Sequence, residues 1–110
     1  MTPEQTAKVA ELNDLVRKEM KGGKWVRTQG VMATQYDGPG LYAMVARFED
    51  FTEANNPHGE RDAGVIKIAD HVFFWKIDVF RDAECMYGAE EPWNPDASYR
   101  ILTLMLMEEY

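Results

Sequence analysis

The segment "AGVIKIADHVFFWKIDVF", residues 63–80, decides the fold. Two runs of β-branched and aromatic residues flank Asp70-His71, a pattern that predicts two strands joined by a tight turn. Side chains alternate between the two faces of a strand, so one set from the second run is expected in the core. That set is apolar throughout: Phe73, Trp75, Ile77 and Val79. The other set mixes apolar and charged residues, which predicts a half-covered face: Val72, Phe74, Lys76, Asp78 and Phe80.

Two helices are predicted before this hairpin. Residues 2–5, "TPEQ", combine a capping threonine, a proline suited to the first helical position and a glutamine three residues after the cap. Apolar residues then recur every three or four positions until Gly22-Gly23, where we expect the first helix to end. Pro39 begins the second helix, which we expect to end near Thr52. The apolar face of the second helix comprises Leu41, Met44, Val45, Phe48 and Phe51.

The remaining segments complete the predicted sheet. Residues 24–34 are predicted as a strand that Gly30 bends, and residues 81–98, rich in acids and lacking periodicity, as a surface loop. Residues 98–110 fit either a buried strand or a helix, and we expect a strand that pairs with residues 72–80. The predicted fold class is α+β. One small domain, residues 1–110, holds an antiparallel sheet of about four strands with two helices on one face.

Composition and charge argue against several classes of function. The net charge is −7, and it is divided between +2 for residues 1–48 and −9 for residues 49–110. The acidic part repels phosphates, so direct nucleic-acid binding is not expected. No apolar run is long enough to cross a membrane, and the first residues lack the pattern of a signal peptide. The single cysteine, Cys85, fits a reducing compartment, so we expect a cytoplasmic protein without membrane association.

The octapeptide "NNPHGERD", residues 55–62, combines a turn with side chains capable of chemistry. Asn56-Pro57-His58-Gly59 places preferred residue types at the first, second and fourth positions of a type I turn. If the chain is extended after the turn, His58, Glu60 and Asp62 project to one side. An imidazole and two carboxylates on one side can hold a divalent metal or act as general acid and base.

Two candidate sets follow from the octapeptide, and one structural interpretation competes with them. The candidate catalytic residues are His58, Glu60, Asp62 and Asp78. The candidate metal ligands are His58, Glu60, Asp62 and Asp82. No established catalytic or metal-binding motif accompanies either set. In the competing interpretation Arg61 or Lys76 neutralises Glu60, Asp62 and Asp78, and these ion pairs fix the loop against the outer face of the sheet without any chemistry.

Trp93 lies in the string "EEPWNP", between two prolines and beside two acids. A large aromatic residue in a loop with little core to join has two interpretations. It covers an edge of the sheet, or it binds a partner protein, since tryptophan is enriched at the energetic centres of interfaces.

Three strings resemble a known bacterial family. They are "FEDFTEANNPHGERDAG", "FFWKIDVFRD" and "RILTLMLMEEY", and they span residues 48–110. The family is the uncharacterised domain of unknown function thirty-seven sixty-eight, found in proteobacteria and their mobile elements. The matching positions are Asn55, Pro57, His58, Gly59, Glu60, Asp62, Trp75, Lys76, Asp78 and Asp82. The chain departs from the family pattern at Asn56, Arg61 and Ala63, where the pattern has Asp, His and Phe, so two potential metal ligands are missing.

The leading functional hypothesis is a small acidic module that binds a basic surface on another protein. In the mobile-element setting that the resemblance implies, it inhibits a nucleic-acid-handling defence enzyme, with its carboxylates in place of phosphates. The expected partner-binding residues are Glu49, Asp50, Glu53, Glu60, Asp62, Glu90, Glu91 and Trp93. This function needs no cofactor.

Two alternatives remain open. One is a metal-dependent hydrolase or nuclease-like enzyme centred on the octapeptide, which requires a divalent metal. The other is a homodimeric structural module that associates through the outer face carrying Phe74 and Phe80 and through the apolar last strand.

Overall fold

Four strands and three α-helices make up the chain, which a computed structural model describes over residues 1–110. The helices are α1 (Pro3–Glu19), α2 (Gln29–Met32) and α3 (Pro39–Ala46). The strands are β1 (Gly23–Arg27), β2 (Ala63–Ile68), β3 (His71–Phe80) and β4 (Tyr99–Leu106). Two short 3₁₀ turns, Pro95–Ala97 and Met107–Glu109, precede and follow β4.

The strands form one mixed sheet in the order β1-β4-β3-β2. The β2–β3 and β3–β4 pairs are antiparallel, whereas β1 runs parallel to β4. The predicted α+β class is confirmed, but the prediction of a purely antiparallel sheet is wrong. Hairpin connections impose antiparallel pairing only between strands that are close in sequence. The partner of β1 is the last strand of the chain, so no such connection sets its direction.

The hairpin forms as predicted, with its turn one residue earlier than expected. Ile68 pairs with His71, so the loop residues are Ala69 and Asp70, and Ala69 has a φ of 54°. On β3 the alternate residues from Phe73 to Ile77 are buried, and all residues of the opposite face are half-buried. The predicted division of this strand into a core face and a partly covered face is therefore confirmed.

The last segment is a strand, as expected, and it lies in the interior of the sheet. Leu102 pairs with Ile77 of β3 on one side and with Trp25 of β1 on the other. Leu102 and Leu104 face the helices and are almost completely buried. A strand that has neighbours on both sides and a core face needs a nearly continuous apolar sequence, which explains the composition of β4.

The predicted strand over residues 24–34 is wrong beyond Arg27. Thr28 accepts a hydrogen bond from the backbone N–H of Val31 at 3.3 Å and so caps the short helix α2. Gly30 does not bend a strand. It lies instead in α2, where the carboxylate of the exposed Glu109 approaches it so closely that a Cβ atom would be 2.5 Å away and the Glu109 side chain would have to move.

The second long helix is also shorter than predicted, since α3 ends at Ala46 and not near Thr52. The side chain of Arg17 donates hydrogen bonds to the carbonyl oxygens of Val45 and Ala46, at 3.1 and 2.8 Å. These carbonyls are among those that a helix end leaves without intrahelical partners, so Arg17 caps α3 from outside the helix. Phe48 and Phe51, predicted on the helix, lie beyond it in the chain.

All three helices pack on one face of the sheet around a single buried cluster. Val16 from α1, Val31 from α2 and Val45 from α3 are completely buried there. Phe48 packs edge to face on Trp75 at a ring-centre distance of 5.5 Å, and Phe51 does so at 6.1 Å. None of these helices is both long and apolar enough to cross a membrane.

The glycine at position 64 gives a direct test of this packing. A Cβ atom on Gly64 would lie 2.5 Å from Trp75 Nε1 and 2.8 Å from Phe48 Cε1, both in the core. We expect Gly64→Ala to lower the free energy of unfolding by about 1–3 kcal/mol, because the rings must move to admit the methyl group. Gly40→Ala is the control, since Gly40 has open space around it in α3. That substitution should raise stability by up to about 0.5 kcal/mol in urea unfolding.

Candidate functional site

The octapeptide is a closely hydrogen-bonded turn. Gly59 N–H donates to the carbonyl of Asn56 at 3.2 Å, which confirms the predicted turn. The Asn56 side chain accepts a hydrogen bond from Arg61 N–H at 2.8 Å, and Asn55 exchanges side-chain and backbone hydrogen bonds with Thr52. Arg61 has a φ of 55°, a left-handed conformation that costs about 1–2 kcal/mol for a residue other than glycine. The contacts of the turn and of the Arg61 side chain compensate for that cost.

Arg61 forms ion pairs with acids other than those expected from the sequence. Its guanidinium donates to Asp14 at 3.0 Å and to Glu49 at 2.6 Å, and it lies over the ring of Phe51 at 4.2 Å. The expected neutralisation of Glu60 and Asp62 by Arg61 therefore does not occur. The other expected ion pair, between Lys76 and Asp78, is present.

Glu49 is the most strongly neutralised of the expected partner-binding acids. Lys18 donates to its carboxylate at 2.9 Å, and Arg61 donates to its other oxygen. Hydrogen bonds from Lys18 and then Arg61 lower the pKa of Glu49 to about 2. Glu49 thus holds α1 to the octapeptide. The neighbouring Asp50 and Glu53 are exposed and form no ion pair.

The candidate catalytic and metal-binding residues do not form a ligand cluster. No three of the chain's His, Cys, Asp and Glu side chains lie close enough together to hold a metal ion. Asp62 is half-buried, and this burial raises the pKa of its carboxyl group. The negative charge of Asp78 also raises that pKa, whereas the charge of His58 lowers it. His58 is exposed on the turn, and the carboxylate of Asp82 lies 3.6 Å from Arg81.

A buried hydrogen-bonded bridge joins the octapeptide to the acidic loop. Arg100 and Asn13 are 2% and 1% exposed. Arg100 Nε donates to the Asn13 side chain at 2.6 Å, and Asn13 donates to the carbonyl of Glu60 at 2.9 Å. At its other end the Arg100 guanidinium donates to the carbonyl of Pro92 and to the Ser98 hydroxyl. Burial lowers the pKa of Arg100 to about 10, so the guanidinium remains charged at neutral pH.

The same two loops also meet along the free side of β3. Ile77 N–H donates to the carbonyl of Asp62 at 2.8 Å, and Ala89 N–H donates to the carbonyl of Val79 at 3.2 Å. Asp62 therefore lies beside Ile77 and Ala89 beside Val79, and these two positions of β3 are only two residues apart. This arrangement brings four acids without ion pairs to one end of the sheet. We call them the acidic edge: Glu60, Asp62, Glu90 and Glu91.

Sequence reasoning missed Asn13 and Arg100, which organise this end of the molecule. Asn13 lies on the buried face of α1 beside Leu12, and Arg100 occupies a buried position in β4. A polar residue within an apolar pattern is the signal that marks both positions. Trp93, for which two roles were expected, is half-buried next to Pro92, the residue that Arg100 holds.

Residues 27–109 match the family described as a protein of unknown function, DUF3768. This match confirms the resemblance found in the sequence and extends it from residue 48 back to residue 27. No curated protein and no solved structure matches the chain. The matched range contains the octapeptide, the acidic loop and Arg100. It leaves out α1, which carries Asn13.

The buried bridge should be essential for stability. Asn13→Ala leaves Arg100 Nε and the Glu60 carbonyl without partners, so we expect a loss of about 2–3 kcal/mol in the free energy of unfolding. Gln35→Ala is the control, because Gln35 is exposed in a loop. It should change stability by less than about 0.5 kcal/mol. Equal effects of the two substitutions in urea unfolding would contradict the assignment.

Ionisation of Glu49 should make the free energy of unfolding depend on pH in the acidic range. Its folded pKa of about 2 lies below the ordinary value of 4.5, so the carboxylate stabilises the folded chain above pH 4.5. That contribution is lost as the pH falls from 4.5 towards 2. Glu49→Gln should therefore show a shallower loss of stability over this range in urea unfolding. Glu53→Gln, which removes an acid without an ion pair, should follow the unmodified chain.

Proposed function

The chain belongs to the DUF3768 family, and we propose that it is a protein-binding module whose acidic edge binds a basic surface on another protein. The two loops that form this edge are the octapeptide and the loop after β3. The proposal needs no cofactor and no catalytic residue. It keeps Glu60, Asp62, Glu90, Glu91 and Trp93 from the residues expected to bind a partner, and it assigns Glu49 a structural role.

The observation that supports this proposal is that only some of the acids form ion pairs with a lysine or arginine of the chain. Seven of the 19 acidic side chains lie within 4.0 Å of a lysine or arginine nitrogen. They are Glu11, Asp14, Glu19, Asp37, Glu49, Asp78 and Asp82. Of the remaining acids, all but Glu4 lie at or after position 50. The negative charge of this part of the chain is therefore available to a partner instead of being neutralised internally.

The acidic edge is also held in place before any partner binds. The backbones of Glu60 and Pro92 are fixed by Asn13 and Arg100, and those of Asp62 and Ala89 by β3. Ordering flexible loops on association costs binding free energy, so loops that are already fixed bind more tightly for the same contacts. Complementary charge additionally raises the association rate and selects among partners.

Proteins that handle nucleic acids carry the basic surfaces that such an edge fits, because they bind phosphates with lysine and arginine. We therefore propose a nucleic-acid-handling enzyme of the cytoplasm as the partner, with the carboxylates occupying phosphate positions. The family resemblance to proteins of mobile elements favours a host defence enzyme, whose inhibition benefits the element. For a hydrolase centred on His58, no contact in the structure offers comparable support.

Two variants with equal charge test this function. Replacing Glu60, Asp62, Glu90 and Glu91 by their amides changes the net charge from −7 to −3. Replacing Glu4, Glu11, Glu19 and Glu108 by glutamine has the same effect on net charge away from the acidic edge. In cleavage assays with purified defence nucleases, the unmodified chain and the second variant should inhibit DNA cleavage. The first variant should not.

Binding measured by calorimetry should weaken steeply as salt is added, because screening reduces attraction between exposed charges. Two outcomes would overturn the proposal. One is equal loss of inhibition by both variants, which would mean that total charge matters and the acidic edge does not. The other is affinity that stays constant from low to high salt.

A further inference from the structure

Strand β1 forms an edge of the sheet and leaves backbone groups without partners. It stands at the end of the order β1-β4-β3-β2, so β4 is its only neighbour. Thr28 N–H, just after β1, donates to the carbonyl of Leu104 at 3.1 Å, which shows that the even-numbered residues of this segment face β4. The N–H and C=O groups of Trp25 and Arg27 therefore point to the free edge. Such groups are able to pair with a further strand.

An apolar slot lies beside this free edge, on the side of the sheet that the helices cover. Its volume is about 190 Å³. We call it the edge slot and define it by six lining residues, all hydrophobic except the arginine: Met20, Trp25, Val26, Arg27, Tyr42 and Leu104. A cavity of about 150 Å³ already accommodates benzene, so the edge slot is large enough for one aromatic ring.

The walls of the edge slot are held in place by contacts with α3 and with the residue before it. Arg27 donates to both carboxylate oxygens of Asp37, at 3.0 and 2.9 Å, and its guanidinium lies 6.0 Å from the centre of the Tyr42 ring. Trp25 meets Tyr42 edge to face at 6.2 Å, and Met20 is 58% exposed. A ring that enters between Arg27 and Met20 gains cation–π and sulfur–aromatic contacts, so the slot favours an aromatic side chain.

The other face of β1 favours a carboxylate and an apolar group. The side chains of Lys24 and Val26 alternate with that of Trp25 and therefore project from the face opposite the edge slot. Lys24 is exposed and forms no ion pair, and Val26 is 38% exposed. Opposite charges directly across two strands stabilise the pair, and like charges destabilise it. A strand added to β1 should thus carry an acid opposite Lys24 and an apolar residue opposite Val26.

A second copy of this chain does not supply the side chain that the edge slot needs. Trp25 of a copy paired through β1 is already engaged, since its Nε1 donates to the carbonyl of Val16 at 2.8 Å and its ring packs on the core. On the same side of β2, the other edge strand, Gly64 has no side chain and Ile66 and Ile68 pack in or against the core. The slot therefore fits a segment of a different protein.

We infer that β1 binds an extended segment of another protein as a fifth strand, in which an aliphatic, an aromatic and an acidic residue follow one another. Antiparallel pairing is slightly more stable than parallel pairing, and it places these three residues opposite Val26, Trp25 and Lys24. The aromatic ring enters the edge slot. In this mode of recognition main-chain hydrogen bonds provide affinity, and side-chain pockets provide specificity. No residue of the acidic edge takes part, so the inference and the proposed function are tested separately.

A library of displayed peptides tests the inference. Each peptide has about seven residues, close to the usual length of a strand, with threonine at the flanks and three randomised central positions. Selection on the unmodified chain should enrich an aliphatic, an aromatic and an acidic residue in that order. In fluorescence anisotropy, replacing the aromatic residue of the selected peptide by alanine should weaken binding about tenfold or more, because the edge slot is left empty.

Methylation of single backbone nitrogens in the peptide tests the strand pairing itself. In the antiparallel arrangement the N–H of the aromatic residue points to β1, whereas the N–H of the acidic residue points to solvent. Methylating the first nitrogen should abolish binding, and methylating the second should leave it nearly unchanged. Binding should also protect the amides of Trp25 and Arg27 from hydrogen exchange, and it should not protect that of Val65 on β2.

A charge exchange tests the contact with Lys24. Lys24→Glu should weaken binding of the selected peptide about fivefold or more, and a peptide with lysine in place of the acid should regain the affinity. Lys67→Glu is the control, because Lys67 is exposed on the other edge strand and its replacement changes the net charge equally. Melting curves of both variants should show intact folding, and the peptide substitutions decide the outcome on the unmodified chain.

Four results would overturn the inference. They are selection without enrichment of this order of residues, equal effects of the two methylations, equal loss of binding in Lys24→Glu and Lys67→Glu, and a dimer in sedimentation whose Trp25 and Arg27 amides are protected without peptide. The last result would assign the free edge of β1 to a second copy of the chain.

Discussion

The structure depends on the complete burial of one guanidinium group. Arg17 is 0% exposed and donates to three carbonyls at and just beyond the end of α3, those of Val45, Ala46 and Phe48. Its plane lies over Trp75 at 5.3 Å, and Asp14 neutralises it. A buried charge is tolerated only when it is paired and hydrogen-bonded, so the chain must place all of these groups around it together. Helix α1, the end of α3 and the segment leading to the octapeptide are thereby fixed to one point of the core.

This constraint explains which features could be predicted from the sequence. Periodicity identified the hairpin and the two faces of β3, because burial of Phe73 and Trp75 is a local property of alternating residues. Periodicity did not predict where α3 ends, because the cap is supplied by Arg17, about 30 positions earlier in the chain.

The candidate site also combines a feature that is local in sequence with one that is not. The turn at Asn56 was predictable from its residue types, but the pairing of Arg61 with Asp14 depends on tertiary contacts that no local pattern contains.

The family match raises the question of how α1 relates to the matched range. The match begins at residue 27, yet Asp14 and Arg17 from α1 hold the segment between α3 and β2. The sequence resemblance implies that Arg61 stands where other members of the family have histidine. Its charge suits a position next to Asp14 and Glu49, both of which it contacts. The ion pairs of Arg61 with α1 and with Glu49 thus give arginine a structural role at this position.

The acids of this small molecule fall into two groups, those paired within the fold and those left without a cation. Arginine and lysine side chains pair with acids such as Asp14 and Glu49. What remains around the octapeptide and the loop after β3 is negative and without ion pairs. Since the Debye length at physiological salt is about 8 Å, the acids of the acidic edge act on a partner almost independently of charges on distant parts of the surface. Under the proposed function, this local negative charge, and not the net charge of −7 as a whole, attracts the basic surface of the partner.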